Sequence, residues 1–396
     1  MVTWIALAIS LLLLLVISQR NLAVGMFVAA TVLGLTTLSF QGFFDQVVVT
    51  FSDPSVVSLA GLVAIIAMVG GVLEESGEME NLVTNMRIGK RPFLGASPAL
   101  LGMLPMPGGA LLSAPMVESS GDDLSGSTKA VINVWFRHIL FLIYPLGPAL
   151  IASAKIARLN VYQTIPYLAP FFLLSVVLGY FFMLRETKTK MEYSSDFSLR
   201  GLLVPLVVIL MAPIADIVLK SFFNFPVPEY TTLIGVSLSF IAAIMVSRYG
   251  PSELAKVTRK MEPWGYALIV LGMFTFLNVF KVSGAPEAIA ELAFPLPVLV
   301  VVVSFLLGLA TGRIQAPASI IFPIFFARQG VGTMPLVAFA MAYFSIFIGY
   351  AISPIHPCVS VSVEYFETSM GSYVRKIALP GVISLIVVGV LSVFLM

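Results

Sequence analysis

Apolar blocks of bilayer-spanning length follow one another through most of this 396-residue chain, and they constrain its fold more than any motif does. A transmembrane helix needs about 20 consecutive apolar residues. Such blocks fall at about 2–18, 22–39, 55–73, 129–153, 162–184, 201–219, 229–247, 264–280, 334–357 and 376–396. Hydrocarbon offers no water to unpaired backbone groups, so blocks of this length predict helices. Only 11% of the residues are charged against 59% hydrophobic, too few charges to cover a soluble protein of this size. The first block, MVTWIALAISLLLLLVISQRN, lacks a basic leader region and a small-residue cleavage site, and reads as a retained span. Cys358 is the only cysteine, which excludes an intrachain disulfide.

Two further apolar segments, about 93–117 and 296–327, are broken in the middle by Gly, Pro and polar residues. Read as re-entrant hairpins, they leave ten crossings and put both termini on one side. With the termini outside, fifteen basic residues fall in cytoplasmic loops: Arg20, Arg87, Lys90, Arg91, Lys129, Arg185, Lys188, Lys190, Arg200, Arg248, Lys256, Arg259, Lys260, Arg375 and Lys376. Five fall outside: Lys155, Arg158, Lys220, Lys281 and Arg328. That bias follows the positive-inside rule, and turning either hairpin into a true crossing weakens it.

The two halves read alike. Residues 1–184 and 201–396 each run span, span, span, amphipathic stretch (74–91; 281–294), broken hairpin, span, span. The hydrophilic stretch RETKTKMEYSSDFSLR (185–200) serves as a cytoplasmic linker. Five crossings per half insert the second half upside down relative to the first. YPLGPAL (Pro145, Pro148) and SPIHPCV (Pro354, Pro357) sit at matching places, as do the hairpin prolines Pro115 and Pro323. Prolines that merely kink helices are common in membrane proteins, but two Pro-x-x-Pro breaks at equal distance from two hairpins point to duplication. The expected fold is an all-α polytopic membrane protein. It has two inverted repeats of five transmembrane helices, each with a re-entrant helical hairpin (93–117; 296–327) and a proline-broken helix (129–153; 334–357).

Paired discontinuous segments in inverted repeats mark the binding site of a secondary transporter. A broken helix exposes N–H groups at one new end and C=O groups at the other, with partial positive and negative charge respectively. In GMLPMPGGALLSAPM, the tip around Pro105, Pro107, Gly108 and Gly109 ends one half-helix and starts another, with Ser113 one turn further on. The second tip, LATGRIQAPASIIFP, carries Thr311, Gly312, Arg313, Gln315 and Ser319. Arg313 lies about 17 residues into its segment, a depth that favours a substrate or ion pathway over snorkelling or a backbone brace.

In KAVINVWFRHILFLIYPLGPALIAS, Arg137 lies about 12 Å into the helix. Asn133, Arg137 and Tyr144 share a face there, with structural hydrogen bonding and function as equal readings. His138 falls one position off that stripe and reads as a packing residue. In the matching span, Ser353, His356, Ser360, Glu364 and Glu367 form one polar face if helical. His356 is a candidate proton carrier; Asn133 and His356 are the candidate ion-coupling residues.

Away from span ends the buried ionisable residues are Arg137, His138, Arg313 and His356, with no mid-span acid; Asp216 and Glu118 sit near segment ends. Cation carriers need an intramembrane carboxylate, so two arginines beside half-helix N-termini favour an anion, a carboxylate or oxyanion. The competing reading is a cation/proton antiporter on the same scaffold. An intramembrane hydrolase built on Ser113 or Ser319 with a histidine has no Gly-x-Ser-x-Gly at either serine and does not explain the duplication. One Cys and two His far apart in sequence show no metal-ligand spacing, so no metal site is expected. The sequence has no Walker motif and no feature of nucleic-acid binding.

Two inverted five-span repeats with hairpins and proline-broken spans resemble the ion transporter superfamily, which includes divalent-anion/sodium symporters, gluconate permeases, and citrate and arsenite carriers. PMPGGALLSAPMVE (105–118) resembles an uncharacterised integral-membrane family placed within it. The resemblance implies a homodimer, a scaffold domain including spans 22–73 and 229–280, and a transport domain that carries both hairpins and moves like an elevator. The Ser-Asn-Thr signature that the dicarboxylate/sodium symporters carry at both tips is missing here, so their sodium sites do not transfer. Protons, sodium held by backbone carbonyls, or no coupling ion all stay open.

Overall fold

Helix follows helix along the chain, and no strand occurs among the described residues. The computed structural model describes residues 2–106, 109–187, 193, 196–292 and 295–396. Helices α1 (Val2–Ser18) and α2 (Leu22–Thr37) meet at Asn21, whose side chain accepts from the Val24 N–H and caps α2. After α3 (Phe40–Ser52), α4 (Pro54–Glu75) starts on Asp53, whose carboxylate accepts from the N–H groups of Ser55 and Val56. Then come α5 (Glu78–Thr84), α6 (Lys90–Gly102), α7 (Gly109–Ser120) and α8 (Gly126–Ile139). A 3₁₀ turn at Leu140–Leu142 leads to α9 (Pro148–Ile156), and α10 (Val161–Gly179) continues through a π-helical turn at Tyr180–Leu184.

The second half holds α11 (Leu199–Phe222), α12 (Glu229–Ser247), α13 (Pro251–Met261), α14 (Pro263–Val282) and α15 (Ala285–Ala290). A π-helical turn at Val298–Val303 runs into α16 (Ser304–Thr311), followed by α17 (Gln315–Gln329), α18 (Leu336–Ile352), α19 (Pro357–Tyr365) and α20 (Met370–Leu395).

Among the described residues, seven helical spans are long and apolar enough to cross a bilayer: α4, α10 with its π turn, α11, α12, α14, the α18–α19 pair and α20. This is an α-helical membrane protein. The α18–α19 span is 83% buried inside the protein, whereas α11, α12 and α20 are each 33% buried. The first is therefore shielded by other helices, and the others turn apolar faces such as Val207, Ile214, Ile241 and Ile386 outward, as lipid requires.

The helices pack in two groups. In one, α2 lies against α1 and α14, α4 against α12 and α14, and α11 against α12. In the other, α6, α7, α8 and α19 pack together, α16 and α20 flank α18, and α10 leans on α18. Contacts of α17, which also packs on α9 and α16 of the second group, with α14 join the groups. Glycines set the closest approaches: a Cβ on Gly349 would lie 2.2 Å from the Phe305 carbonyl oxygen and one on Gly308 2.4 Å from that of Ile346. Polar links also cross the seam. Lys155 at the end of α9 pairs with Glu229 (2.8 Å) and bonds to Ser55, while the Tyr162 hydroxyl of α10 donates to Asp216 of α11 (2.6 Å).

The observed elements differ from the sequence reading in three places. Helices α3 and α13 lie outside every apolar block because both are amphipathic, α13 carrying Lys256, Arg259 and Lys260. The second broken helix runs to Tyr365 instead of ending near 357. Alternating Ser and Val after Cys358 lower the hydropathy without breaking the helix, and one of those serines, Ser362, is buried. Seven of the sixteen residues of the expected linker (188–192, 194 and 195) lie outside the described residues.

Candidate functional site

Both hairpin tips and both helix breaks converge on one cavity of about 350 Å³. The four helices that start at the tips and breaks open onto it with their N-termini: Gly109 of α7, Pro148 of α9, Gln315 of α17 and Pro357 of α19 all line its wall. Proline at the first helical position of α9 and α19 removes an N–H that has no intrahelical acceptor and pre-sets the helical φ. Each N-terminus contributes roughly half a positive charge. Arg137 and Arg313 also line the cavity. No carboxylate does so among the described residues, and none pairs with either arginine.

Arg137 is buried, 4% exposed, near the end of α8. Its position is fixed by glycines: a Cβ on Gly102 would lie 1.9 Å from the Arg137 carbonyl oxygen, and one on Gly109 would lie 1.9 Å from Nη2. The Arg137 Nη1 donates to Ser113 Oγ (3.3 Å). Asn133, one turn earlier, donates through Nδ2 to the Ala110 carbonyl (3.0 Å) and to Ser362 Oγ (2.9 Å), tying α7 and α19 to α8. Its Oδ1 is buried with no partner among the described residues.

On the opposite wall, Gly312 takes a left-handed conformation (φ 57°) that ends α16. A Cβ there would sit 3.0 Å from the His356 backbone nitrogen, so the second tip rests directly on the second break. The Thr311 Oγ1 accepts from the Arg313 N–H (3.3 Å), and Ser353 Oγ donates to the Leu309 carbonyl (2.6 Å). Arg313 and Gln315 are half-buried at the cavity.

The structure thus gathers Gly109, Arg137, Arg313, Gln315 and His356 around one space. Ser113, Asn133, Thr311, Gly312 and Ser353 stand behind them as hydrogen-bonding or backbone supports. Tyr144 and Ser319 are elsewhere. Tyr144 lines a separate crevice with Leu104, Leu146 and Ile209, and Ser319 donates to the Ala316 carbonyl within its own helix (2.7 Å). Pro107 and Gly108 lie outside the described residues.

Sequence reasoning passed over His138, Tyr266, Tyr350 and Cys358, all at the cavity. The His138 and His356 ring centroids are 4.8 Å apart, and Tyr350 covers both at 5.1 and 4.2 Å. His138 lies within α8, one position off the Asn133–Arg137 face, and its meeting with His356 depends on the packing of α19 against α8, which no local pattern encodes. Tyr266 comes from α14, an unbroken helix with no local signal. The fold brings His138, His356 and Cys358 together across more than two hundred residues.

A second cavity of about 380 Å³ lies between the ends of α9 and α12 and is lined by Lys155, Arg158 and Lys220. Its cations are engaged: Lys155 by Glu229 (2.8 Å), Lys220 by Asp216 (2.8 Å), and Arg158 by the Gly332 carbonyl (3.0 Å). The guanidiniums of the central cavity are the ones left for a ligand.

No curated protein matches the chain. Among solved structures, it is similar to the crystal structure of the YdaH transporter of Alcanivorax borkumensis, described as having an unusual topology. The TM-score is 0.62 at 16% identity, covering 94% of this chain and 96% of that one, so the two share a fold. Across residues 3–395 the chain matches the model of a family described as protein of unknown function, DUF401, and it belongs to that family.

Proposed function

We propose that this protein is a secondary active transporter of a small anion, a carboxylate or an inorganic oxyanion, which binds between the two hairpin tips and the two helix breaks. One observation carries the reading: two guanidiniums without an acidic partner and the N-termini of the four helices that start at the tips and breaks face a single cavity that no described carboxylate lines. Arginine is suited to two-pronged binding of planar oxyanions, and the helix ends add partial positive charge without a mobile counter-ion. The cation/proton antiporter reading loses its carboxylate. Asp216, the buried acid of α11, is held by Tyr162, Lys220, Thr231 and Thr232 at 2.6 to 2.9 Å and stands away from the cavity.

The two halves correspond element by element, α1, α2, α4 to α8, α9 and α10 against α11, α12, α14 to α18, α19 and α20. That correspondence supports two inverted repeats, 1–184 and 201–396, and the excess of Lys and Arg in the loops read as cytoplasmic supports both termini outside. In this reading the group containing the hairpins and broken helices is the transport domain. It moves as an elevator against a scaffold of α1, α2, α4, α11, α12 and α14, which forms a homodimer. Coupling to sodium or protons is part of the proposal, as is the absence of enzymatic activity. The fold shared with a transporter supports a transport role.

The test is ligand-dependent stabilisation of the purified protein in detergent, which follows occupancy of the native state. Members of a panel of mono-, di- and tricarboxylates and oxyanions raise the melting temperature of wild type and fail with Arg313→Ala. Stabilisation by sodium or potassium alone, unaffected by Arg313→Ala, refutes the reading.

A further inference from the structure

The central cavity also holds a cluster of three metal-ligating side chains, of which only His356 is among the residues gathered at the candidate anion site. His138, His356 and Cys358 each offer one donor atom, and the three atoms lie within 4.8 Å of one another. Their surroundings look arranged for coordination. The His138 Nδ1 is 2.6 Å from the Val134 carbonyl oxygen, which only accepts, so Nδ1 carries the proton and Nε2 keeps its lone pair. Ligating histidines are oriented in this way by a backbone carbonyl. His356 is 3% exposed, lines the cavity, and has neither ring nitrogen bonded to any described residue. A buried imidazole without a partner is rare in a packed interior. Tyr350 and Phe141 pack edge-on or tilted against the two rings and hold them in place.

From this cluster we infer a binding site for one soft monovalent d¹⁰ cation, of the cuprous class, held by His138 Nε2, a ring nitrogen of His356 and Cys358 Sγ. Thiolate and imidazole donors select soft ions. The charge state follows from the cavity. Arg137 and Arg313 line the same cavity as Cys358, and no lining carboxylate is described, so additional positive charge is disfavoured. A thiolate with a monovalent ion is neutral, whereas a zinc ion in the same place leaves a net positive charge between two guanidiniums. Binding releases one proton, Cys–SH plus M⁺ giving Cys–S–M plus H⁺, with no electron transferred. An ion about 2.0 Å from each nitrogen and 2.3 Å from sulfur in trigonal geometry holds its donors about 3.5–3.7 Å apart, so donors that lie within 4.8 Å of one another close by up to about 1.3 Å through side-chain rotations.

The site shares its cavity and His356 with the proposed anion site, and its test does not measure transport, so either reading can fail without the other. Full-length protein under reducing, oxygen-free conditions is titrated with Cu(I) against a coloured Cu(I) chelator, and the complex is read by X-ray absorption. The expected result is one Cu(I) per chain, coordinated by one sulfur and two nitrogens. Affinity falls by more than about 100-fold, beyond a second-shell effect, in each of Cys358→Ser, His138→Gln and His356→Gln. Three results overturn the inference: wild type that takes no copper from the chelator, equal affinity in the histidine variants (a lone thiol), or tighter binding of Zn(II) than of Cu(I). The absorption spectrum of wild type decides the matter even where a variant folds poorly.

Discussion

Gly109→Ala separates binding from folding at the proposed anion site. The new Cβ falls 1.9 Å from Arg137 Nη2, and ordinary contact begins near 3.4 Å, so the guanidinium must retreat by about 1.5 Å. It is the free end of a side chain, so it moves without dragging the α8 backbone, and the fold is left intact. The 3.3 Å bond to Ser113 is broken by that movement, and the guanidinium no longer presents its edge to the cavity. A hydrogen bond to a charged group contributes about 1.5–3 kcal/mol, so anion affinity falls by roughly 10- to 150-fold. The assay is anion binding followed by melting temperature, with Gly102→Ala for comparison. There the Cβ meets the Arg137 carbonyl oxygen at 1.9 Å, a backbone atom that yields only if α6 and α8 part, so that variant loses about 1–3 kcal/mol of stability as well. Unchanged anion affinity in Gly109→Ala, with its fold intact, refutes the placement of the anion at Arg137.

Gly312→Ala forces a side chain into a left-handed conformation against the His356 backbone and costs about 1–2 kcal/mol, measurable by thermal unfolding. Asp216→Asn leaves Lys220 without its partner in a largely buried network; stability drops by about 3–5 kcal/mol while the ion coupling of transport is unchanged. A stable Asp216→Asn that loses coupling speaks for the cation reading. Glu229→Gln releases Lys155 at the seam between the two helix groups and shifts the conformational equilibrium by up to about fivefold, the ceiling for a partly exposed pair. Faster amide exchange in α9 reports the shift.

Much of the architecture was legible because membrane spans follow from length and hydropathy, and because Pro and Gly mark backbone breaks wherever they stand. The tip at Pro105–Gly109 and the breaks at Pro145–Pro148 and Pro354–Pro357 were visible for that reason. Arg137 and Arg313 were visible because a charge within an apolar block needs a cause. His138 and Cys358 were not, since their meaning lies in a contact between α8 and α19 that no local pattern encodes. Tyr266 is hidden likewise: an aromatic on an unbroken apolar helix looks the same whether it faces lipid, core or cavity. Tyr144 was overread, because alignment along an ideal helix fails once the chain enters the 3₁₀ turn and the break at Pro145.

The central claim is that the cavity carries an anion across the membrane, and the most direct test is current from proteoliposomes. The panel of carboxylates and oxyanions is applied to reconstituted wild type and Arg313→Ala, with sodium and pH gradients imposed separately. The account predicts a current or uptake for one anion class, driven by one of the two gradients and abolished in Arg313→Ala. Silence across the panel, with proton flux that responds to sodium or potassium alone, contradicts it.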